Sequence, residues 1–247
     1  MKKIMMLMIV AVMMLGVSQQ AMAAFADGDL IRVVFSTNGT NEVATDLGSI
    51  TSLTSPSSAT TVWNANNFNF SQLGGTADAS NSYVVYLALT ASPTKQAWTS
   101  GPAGGQTGAK QNFSGLTNKF HLVEAAYAAL GGGSQVTLGM SDPNSFWTQL
   151  TSNGATMGSL SAFVAANNAN ISLASLPTAG YVDAKIYYYN LPNVLPGNIA
   201  GTAVSTIRTY ADGHSALNPS TVPVPAAAYL FGSGLVGLAG LRRKFVA

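Results

Sequence analysis

The sequence predicts a mainly β protein: an antiparallel β-sandwich with one or two short helices, flanked by an N-terminal signal peptide and a C-terminal transmembrane helix. Three observations predict it. Runs of β-branched and aromatic residues recur between turns rich in Ser, Thr, Gly and Asn. Only one long stretch carries apolar residues at helical spacing. Each end of the chain pairs an uncharged apolar run with Lys or Arg.

The strands follow in order. Leu30-Ile31-Arg32-Val33-Val34-Phe35 is bounded by Gly28-Asp29 and by Ser36-Thr37-Asn38-Gly39. Tyr83–Thr90 is a continuous apolar run suited to a central strand, and Pro93 ends it. Tyr181–Tyr189 alternates, with Val182, Ala184, Ile186 and Tyr188 on one face and Asp183, Lys185 and Tyr187 on the other. Weaker strands are expected over Glu42–Leu47, Val62–Phe70, Gln135–Met140 and Val204–Tyr210, and Gly101–Gly108 reads as loop. The one long helix spans Thr117–Leu130, where Phe120, Val123, Tyr127 and Leu130 share a face. Thr117 is its expected N-cap and Gly131 its stop. Short helical turns are expected at Ser145–Leu150 and Leu160–Asn167. Many short strands with a helix on one side suggest a sandwich. No repeat or internal boundary is evident, so residues 24–217 read as one β-rich extracytoplasmic domain.

Composition narrows the function. Charged residues are 8% of the 247, against about 25% in typical soluble domains. Ser (25), Thr (22) and Asn (18) take their place, so the surface is wetted by hydroxyls and amides. A nucleic-acid partner is not expected, because phosphate neutralisation needs clustered Lys and Arg. With no Cys there are no disulfides, thiolate metal sites or Cys nucleophile. Residues 24–222 hold six basic and nine acidic side chains, so the formal charge of +2 is set by the two ends.

Those ends are the most specific features. Met1-Lys2-Lys3, the apolar run Ile4–Val17 and Ala21-Met22-Ala23 form a charged, an apolar and a small-x-small region. The run is too short for a span of about 20 residues, so residues 1–23 read as a signal peptide, recognised at Ala21 and Ala23 and cleaved after Ala23. At the other end stand Val222-Pro223-Val224-Pro225, the uncharged stretch Ala226–Leu241 and Arg242-Arg243-Lys244. That stretch reads as a transmembrane helix starting after Pro225, with the basic cluster as the cytoplasmic membrane stop. Pro223-Val224-Pro225 would be an extended segment at the outer face, open to a protease. Residues 218–247 are thus linker, helix and basic end.

This tripartite tail resembles the PEP-CTERM sorting signal of Gram-negative, biofilm-forming bacteria. The Leu230-Phe231-Gly232-Ser233-Gly234-Leu235 run is similar to one common in that family. The resemblance covers about the last 26 residues, and it departs from the family where Val224 replaces the central acid. It implies removal of the tail by an exosortase-type processing enzyme, transient residence in the inner membrane, and delivery to the cell surface or extracellular matrix alongside exopolysaccharide. A permanent single-pass anchor is the alternative.

Candidate chemistry in the body is sparse. His121 and Glu124 share a helix face, as two metal ligands or a solvated pair. The solvated pair is the better reading. Asp212-Gly213-His214 reads as a turn in the stalk leading to the membrane. Asp27-Gly28-Asp29 is no EF-hand, because the strand residues Leu30 and Ile31 follow it, and is at most a weak surface calcium site. Gly131-Gly132-Gly133-Ser134 follows a helix, so it is no phosphate cradle, and Gly232-Ser233-Gly234 is helix packing. Trp63, Trp98, Trp147 and the Tyr187/Tyr189 pair can stack on sugar rings, although core packing is the better reading. No catalytic, cofactor or metal residues are assigned. The expected function is that of an exported, non-enzymatic surface or matrix protein. A carbohydrate-binding adhesin is the runner-up. A hydrolase, which would need two carboxylates facing across a cleft, comes third.

Overall fold

A computed structural model describes residues 25–64, 66–90, 95–102, 113–131, 133–151, 160–190 and 201–219, with 113 and 114 by backbone alone. The strands are β1 (Asp29–Ser36), β2 (Asn41–Ser49), β3 (Thr61–Trp63), β4 (Ser82–Thr90), β5 (Gln96–Gly101), β6 (Gln135–Gly139), β7 (Ile171–Ser172), β8 (Tyr181–Asn190), β9 (Thr202–Tyr210) and β10 (Ser215–Leu217). The helices are α1 (Phe113–Ala129), α2 (Phe146–Thr151), α3 (Leu160–Ala166) and α4 (Leu176–Ala179).

The protein is mainly β and its ladders are antiparallel, as the sequence predicts. The described strands do not divide into two stacked sheets, however. They form one ten-stranded sheet in the order β3-β10-β9-β8-β5-β4-β1-β2-β6, with β7 beside β4. Alternation tells which face a side chain takes, but not whether a ladder breaks, and here each strand hands on to the next. The sheet curls until its edges approach. Gln135 of β6 donates to the carbonyl of Asn66, just past β3, at 2.6 Å, and Asn66 donates to Ser134. Trp63 donates its indole N–H to Leu47 O at 2.7 Å. Side chains, not a further ladder, close the gap. Irregular register between Asp29 and Ile31 and between Ile186 and Tyr187 supplies local twist.

Both faces of the central strands are buried, which is why they read as unbroken apolar runs. Inside the curl lie Leu30, Val34, Tyr86, Trp98, Ile186 and Ile207. Outside, Ile31, Val33, Phe35, Val85 and Leu87 pack under Leu116, Phe120, Val123 and Tyr127 of α1, Phe146 of α2 and Phe163 of α3. Val182, Ala184, Ile186 and Tyr188 do share one face.

Several boundaries differ from expectation. α1 starts at Phe113, so Thr117 lies inside it and is no N-cap, while Gly131 follows its end at φ +62°. The strand expected over Val62–Phe70 stops at Trp63. A 3-10 turn takes over at Phe70–Leu73, because Asn69 and Gln72 form a capping box that outcompetes extended pairing. β5 has a polar composition, and its strand character comes from lying between β4 and β8. Pro93, residues 103–108 and Gly132 lie outside the described residues. So do the signal peptide and the helix at 226–241. Among the described residues no helix is long and apolar enough to cross a membrane.

Candidate functional site

Polar groups concentrate in three places: inside the curl, beneath the helices, and on the open outer face of β8 and β9.

Inside, the two-residue period of β1 sets Arg32 between Leu30 and Val34. Arg32 is 1% exposed. Its Nη1 donates to Gly213 O (2.7 Å) and Ser215 Oγ (2.9 Å). Its Nη2 donates to Thr45 Oγ1 (2.9 Å) and Asn66 O (2.8 Å). The Tyr86 hydroxyl completes the network, 2.6 Å from Thr209 Oγ1 and 2.8 Å from Ser215 Oγ. No carboxylate among the described residues pairs with Arg32. Burial pushes its guanidinium down and the Tyr86 phenol up. One cation therefore ties β1 to β2, to the segment after β3 and to the β9–β10 hairpin. Four of its donors are spent within the fold, which makes it a structural clamp.

That hairpin corrects one expectation. Asp212-Gly213-His214 is its turn, with Gly213 N–H donating to Tyr210 O at 2.9 Å, and it belongs to the domain, not to a stalk. Gly213 has φ +89°, and a Cβ there would stand 2.0 Å from Phe68 O. Only glycine fits.

Beneath the helices, carboxyls take the place of the cation. Glu42 is fully buried and accepts from the Tyr127 hydroxyl (2.7 Å), Phe146 N–H (2.7 Å) and Trp147 N–H (2.8 Å). It thus satisfies the first turn of α2, whose N–H groups have no helical partner. Burial pushes its carboxyl up to about 7, against these hydrogen bonds.

A second group of carboxyls surrounds the start of the described chain. Asp46 of β2 accepts from Phe25 N–H (2.8 Å) and Gly48 N–H (2.7 Å), and Asp29 accepts from Ala26 N–H (2.9 Å). On α1, Glu124 is 2.8 Å from His121 Nδ1. The expectation of a solvated pair holds for His121 alone, since Glu124 is 4% exposed and its Oε1 has no partner. Burial, and then the charges of Asp27, Asp29 and Asp46, push the Glu124 carboxyl up to about 9. Burial chiefly, with Asp46 and Asp27 beside it, pushes Asp29 up to about 6. Gly28 turns the chain at φ +88°. Among the described residues no three His, Asp or Glu side chains are grouped to hold a metal.

The aromatic candidates divide. Trp98 is buried, donating to Leu53 O at 2.6 Å, and Tyr187 and Tyr189 lie beneath the helices. Trp147 packs on Phe35 at 5.4 Å between ring centres. Trp63 is half-buried and lines a cavity of about 230 Å³ with Leu47, Ile50, Leu53 and Leu217, at one mouth of the curl. A different aromatic, Tyr181 at the start of β8, reaches solvent. Tyr181 is 40% exposed, with the Arg208 guanidinium 3.7 Å from its ring centre. Arg208 makes a two-pronged pair with Asp183 at 2.7 and 2.8 Å, which raises its pKa. Tyr210 lies alongside and stacks on His214 at 3.9 Å. Parity was the available signal: Tyr181 has the same parity as Asp183 and Lys185, on the polar side of β8.

Ala21 and Ala23, Pro223, Val224 and Pro225, and Arg242, Arg243 and Lys244 all lie outside the described residues. The curled antiparallel sheet with helices on one face defines the class of protein at the level of fold. Compared with known proteins, the chain matches no family model, no curated protein and no solved structure.

Proposed function

We propose that the chain is an exported, non-enzymatic protein of the cell surface or extracellular matrix, sorted by its PEP-CTERM-like tail and associated with exopolysaccharide. One observation carries this reading: Pro223-Val224-Pro225, the apolar stretch Ala226–Leu241 and Arg242-Arg243-Lys244 stand in that order at the end of a chain whose start reads as a leader. The tail holds the chain in the inner membrane until an exosortase-type enzyme removes it. The body fits an extracellular setting, being weakly charged and rich in hydroxyls and amides. Its most buried charged groups, Arg32 and Glu42, are engaged in holding strands and helices together. The test is deletion of Ala226–Ala247 and, separately, Pro225→Ala. The truncated chain is expected in the periplasm and the substituted one uncleaved in the membrane. Surface delivery of both variants at the unaltered level would contradict the reading.

A carbohydrate-binding adhesin is the second reading, favoured by the open Tyr181–Arg208–Tyr210 ridge and by Trp63 at the cavity. Aromatic faces flanked by charged groups suit sugar rings. A glycan array with Tyr181→Ala and Trp63→Ala separates the two. Signals lost in these variants support the adhesin, and no signal from the unaltered chain removes it.

A further inference from the structure

We propose that the cavity of about 230 Å³ at one mouth of the curl is a binding site for a small uncharged molecule. Its ligand class is an apolar body of about nine non-hydrogen atoms ending in one uncharged polar group. The proposal goes beyond the sorting reading and does not depend on it.

The lining grades from apolar to polar. Leu30, Leu47 and Ile50 are buried, and Leu53, Trp63 and Leu217 are half-buried around them. Ser49, Ser52 and Thr61 also line the space and are exposed, which sets hydroxyl-bearing residues at the rim. The walls are tied down at several points by the segment between β2 and β3. Ile50 N–H donates to Gly28 O and Ser57 N–H to Val204 O, each at 3.0 Å. Leu53 O accepts from the Trp98 indole at 2.6 Å, and Ala59 O accepts from Asn218 Nδ2 at 3.0 Å. The Trp63 indole, donating to Leu47 O, joins β3 to the end of β2. Held at these points, the backbone keeps the apolar side chains from closing the space.

Volume and charge define the occupant. Protein interiors hold few spaces larger than a water molecule, and atoms lining such a space lack dispersion contacts that a fitting ligand restores. A cavity of about 150 Å³ lined by Leu, Ile and Phe stays dry and takes up benzene, a six-carbon ring. By proportion, about 230 Å³ suits about nine non-hydrogen atoms. No described residue lining the cavity is ionisable, so a buried carboxylate or ammonium would find no counter-ion. A sugar fits the interior poorly for a related reason. Its ring carries hydroxyls on every side, and no Asn, Gln, Asp or Glu is among the described lining residues to meet them. The indole N–H groups of Trp63 and Trp98 are already spent on Leu47 O and Leu53 O. The serine and threonine hydroxyls at the rim serve a molecule with a single polar end. A sugar stacked on Trp63, as in the adhesin reading, is the competing outcome.

The experiment uses the full chain, expressed with its leader, labelled with heavy nitrogen and purified after export. The indole N–H signals of its three Trp residues are followed by NMR during titration with n-octanol and, separately, with indole. Each probe is expected to move the Trp63 and Trp98 signals saturably, with a Kd of about 1 mM or below. The Trp147 signal is expected to stay in place, since Trp147 packs on Phe35 beneath the helices. Octanoate and methyl glucoside are expected to bind at least about tenfold more weakly. Leu217→Phe and Ile50→Phe each fill part of the cavity and are expected to abolish the shifts, while Tyr181→Ala keeps them. The pattern of indole shifts locates the site even where both filling variants fail to fold. No saturable shift with either probe overturns the proposal. Methyl glucoside binding as tightly as octanol overturns it in favour of the adhesin reading. Octanoate binding as tightly overturns the uncharged class. Shifts that persist in a folded Leu217→Phe or Ile50→Phe chain, or that fall on Trp147, overturn the location.

Discussion

The two faces of the sheet handle buried polarity with opposite signs. Inside the curl Arg32 is held by two backbone carbonyls and two hydroxyls, with no carboxylate paired to it among the described residues. Beneath the helices Glu42 is held by one phenol and two N–H groups, with no lysine or arginine paired to it among the described residues. Opposite charges are thus kept apart by the sheet, and each is stabilised by neutral hydrogen-bonding groups. In a chain with 8% charged residues, hydroxyls and main-chain groups take the role that counter-ions have elsewhere. The two sides differ in what they can tolerate. A guanidinium stays charged under almost all conditions. A carboxyl without a cation can shed its charge by taking up a proton.

The largest effect is expected from breaking the inner side. Arg32→Leu takes one donor each from the carbonyls of Gly213 and Asn66 and the hydroxyls of Thr45 and Ser215, which keep Phe68 N–H, Gln135 and Tyr86 as partners. Four hydrogen bonds to a charged group are lost while the cost of burying the guanidinium is relieved, so the loss is on the order of 3–5 kcal/mol. Arg32→Lys recovers only part of it, because one ammonium cannot reproduce the fork. Urea unfolding measures both, and a loss below about 1 kcal/mol for Arg32→Leu would show that the clamp is dispensable.

The helix-covered side is sharpened by pH. Glu42 rises from its ordinary 4.5 to about 7 in the folded chain, so folding favours its protonated form. The unfolded chain releases that proton near its ordinary value. Stability from this group is therefore fully present below pH 4.5 and lost as pH rises through about 7. The decline is on the order of 3 kcal/mol for Glu42. Glu42→Gln, which cannot ionise, should flatten that part of the profile while costing about 1–2 kcal/mol at pH 5 through the mismatched contact with Trp147 N–H. A variant whose melting temperature follows the native pH profile would contradict this assignment.

The smallest effect belongs to the open face. Arg208→Ala removes a partly exposed pair with Asp183 and the stack on Tyr181, and pairs near the surface contribute about 0–1 kcal/mol. Its thermal unfolding should stay close to that of the native chain. A loss comparable to Arg32→Leu would mean that the ridge is structural and would weaken the case for it as a contact surface.

How far the sequence reveals this arrangement depends on the element. β1, β4 and β8 are legible because length, β-branched content and alternation agree. β5 and β10 are not, since Gln96–Gly101 and Ser215–Leu217 owe their extended form to neighbours that pair with them. The single curled sheet in place of a sandwich is a matter of ladder continuity, which no local pattern encodes. Arg32 is visible as a charge inside an apolar run, yet its partners lie as far away as Ser215. His121 and Glu124 are legible as neighbours. Their difference in exposure is not, because it depends on which side of α1 comes to lie against the sheet.

Intact-mass measurement of the protein recovered from the surface of the native cell bears most directly on its proposed role. The expected mass is that of a chain beginning at Ala24 and ending before the apolar stretch Ala226–Leu241. Recovery of the polypeptide from the cytoplasm with Met1 and Ala247 both present would contradict it.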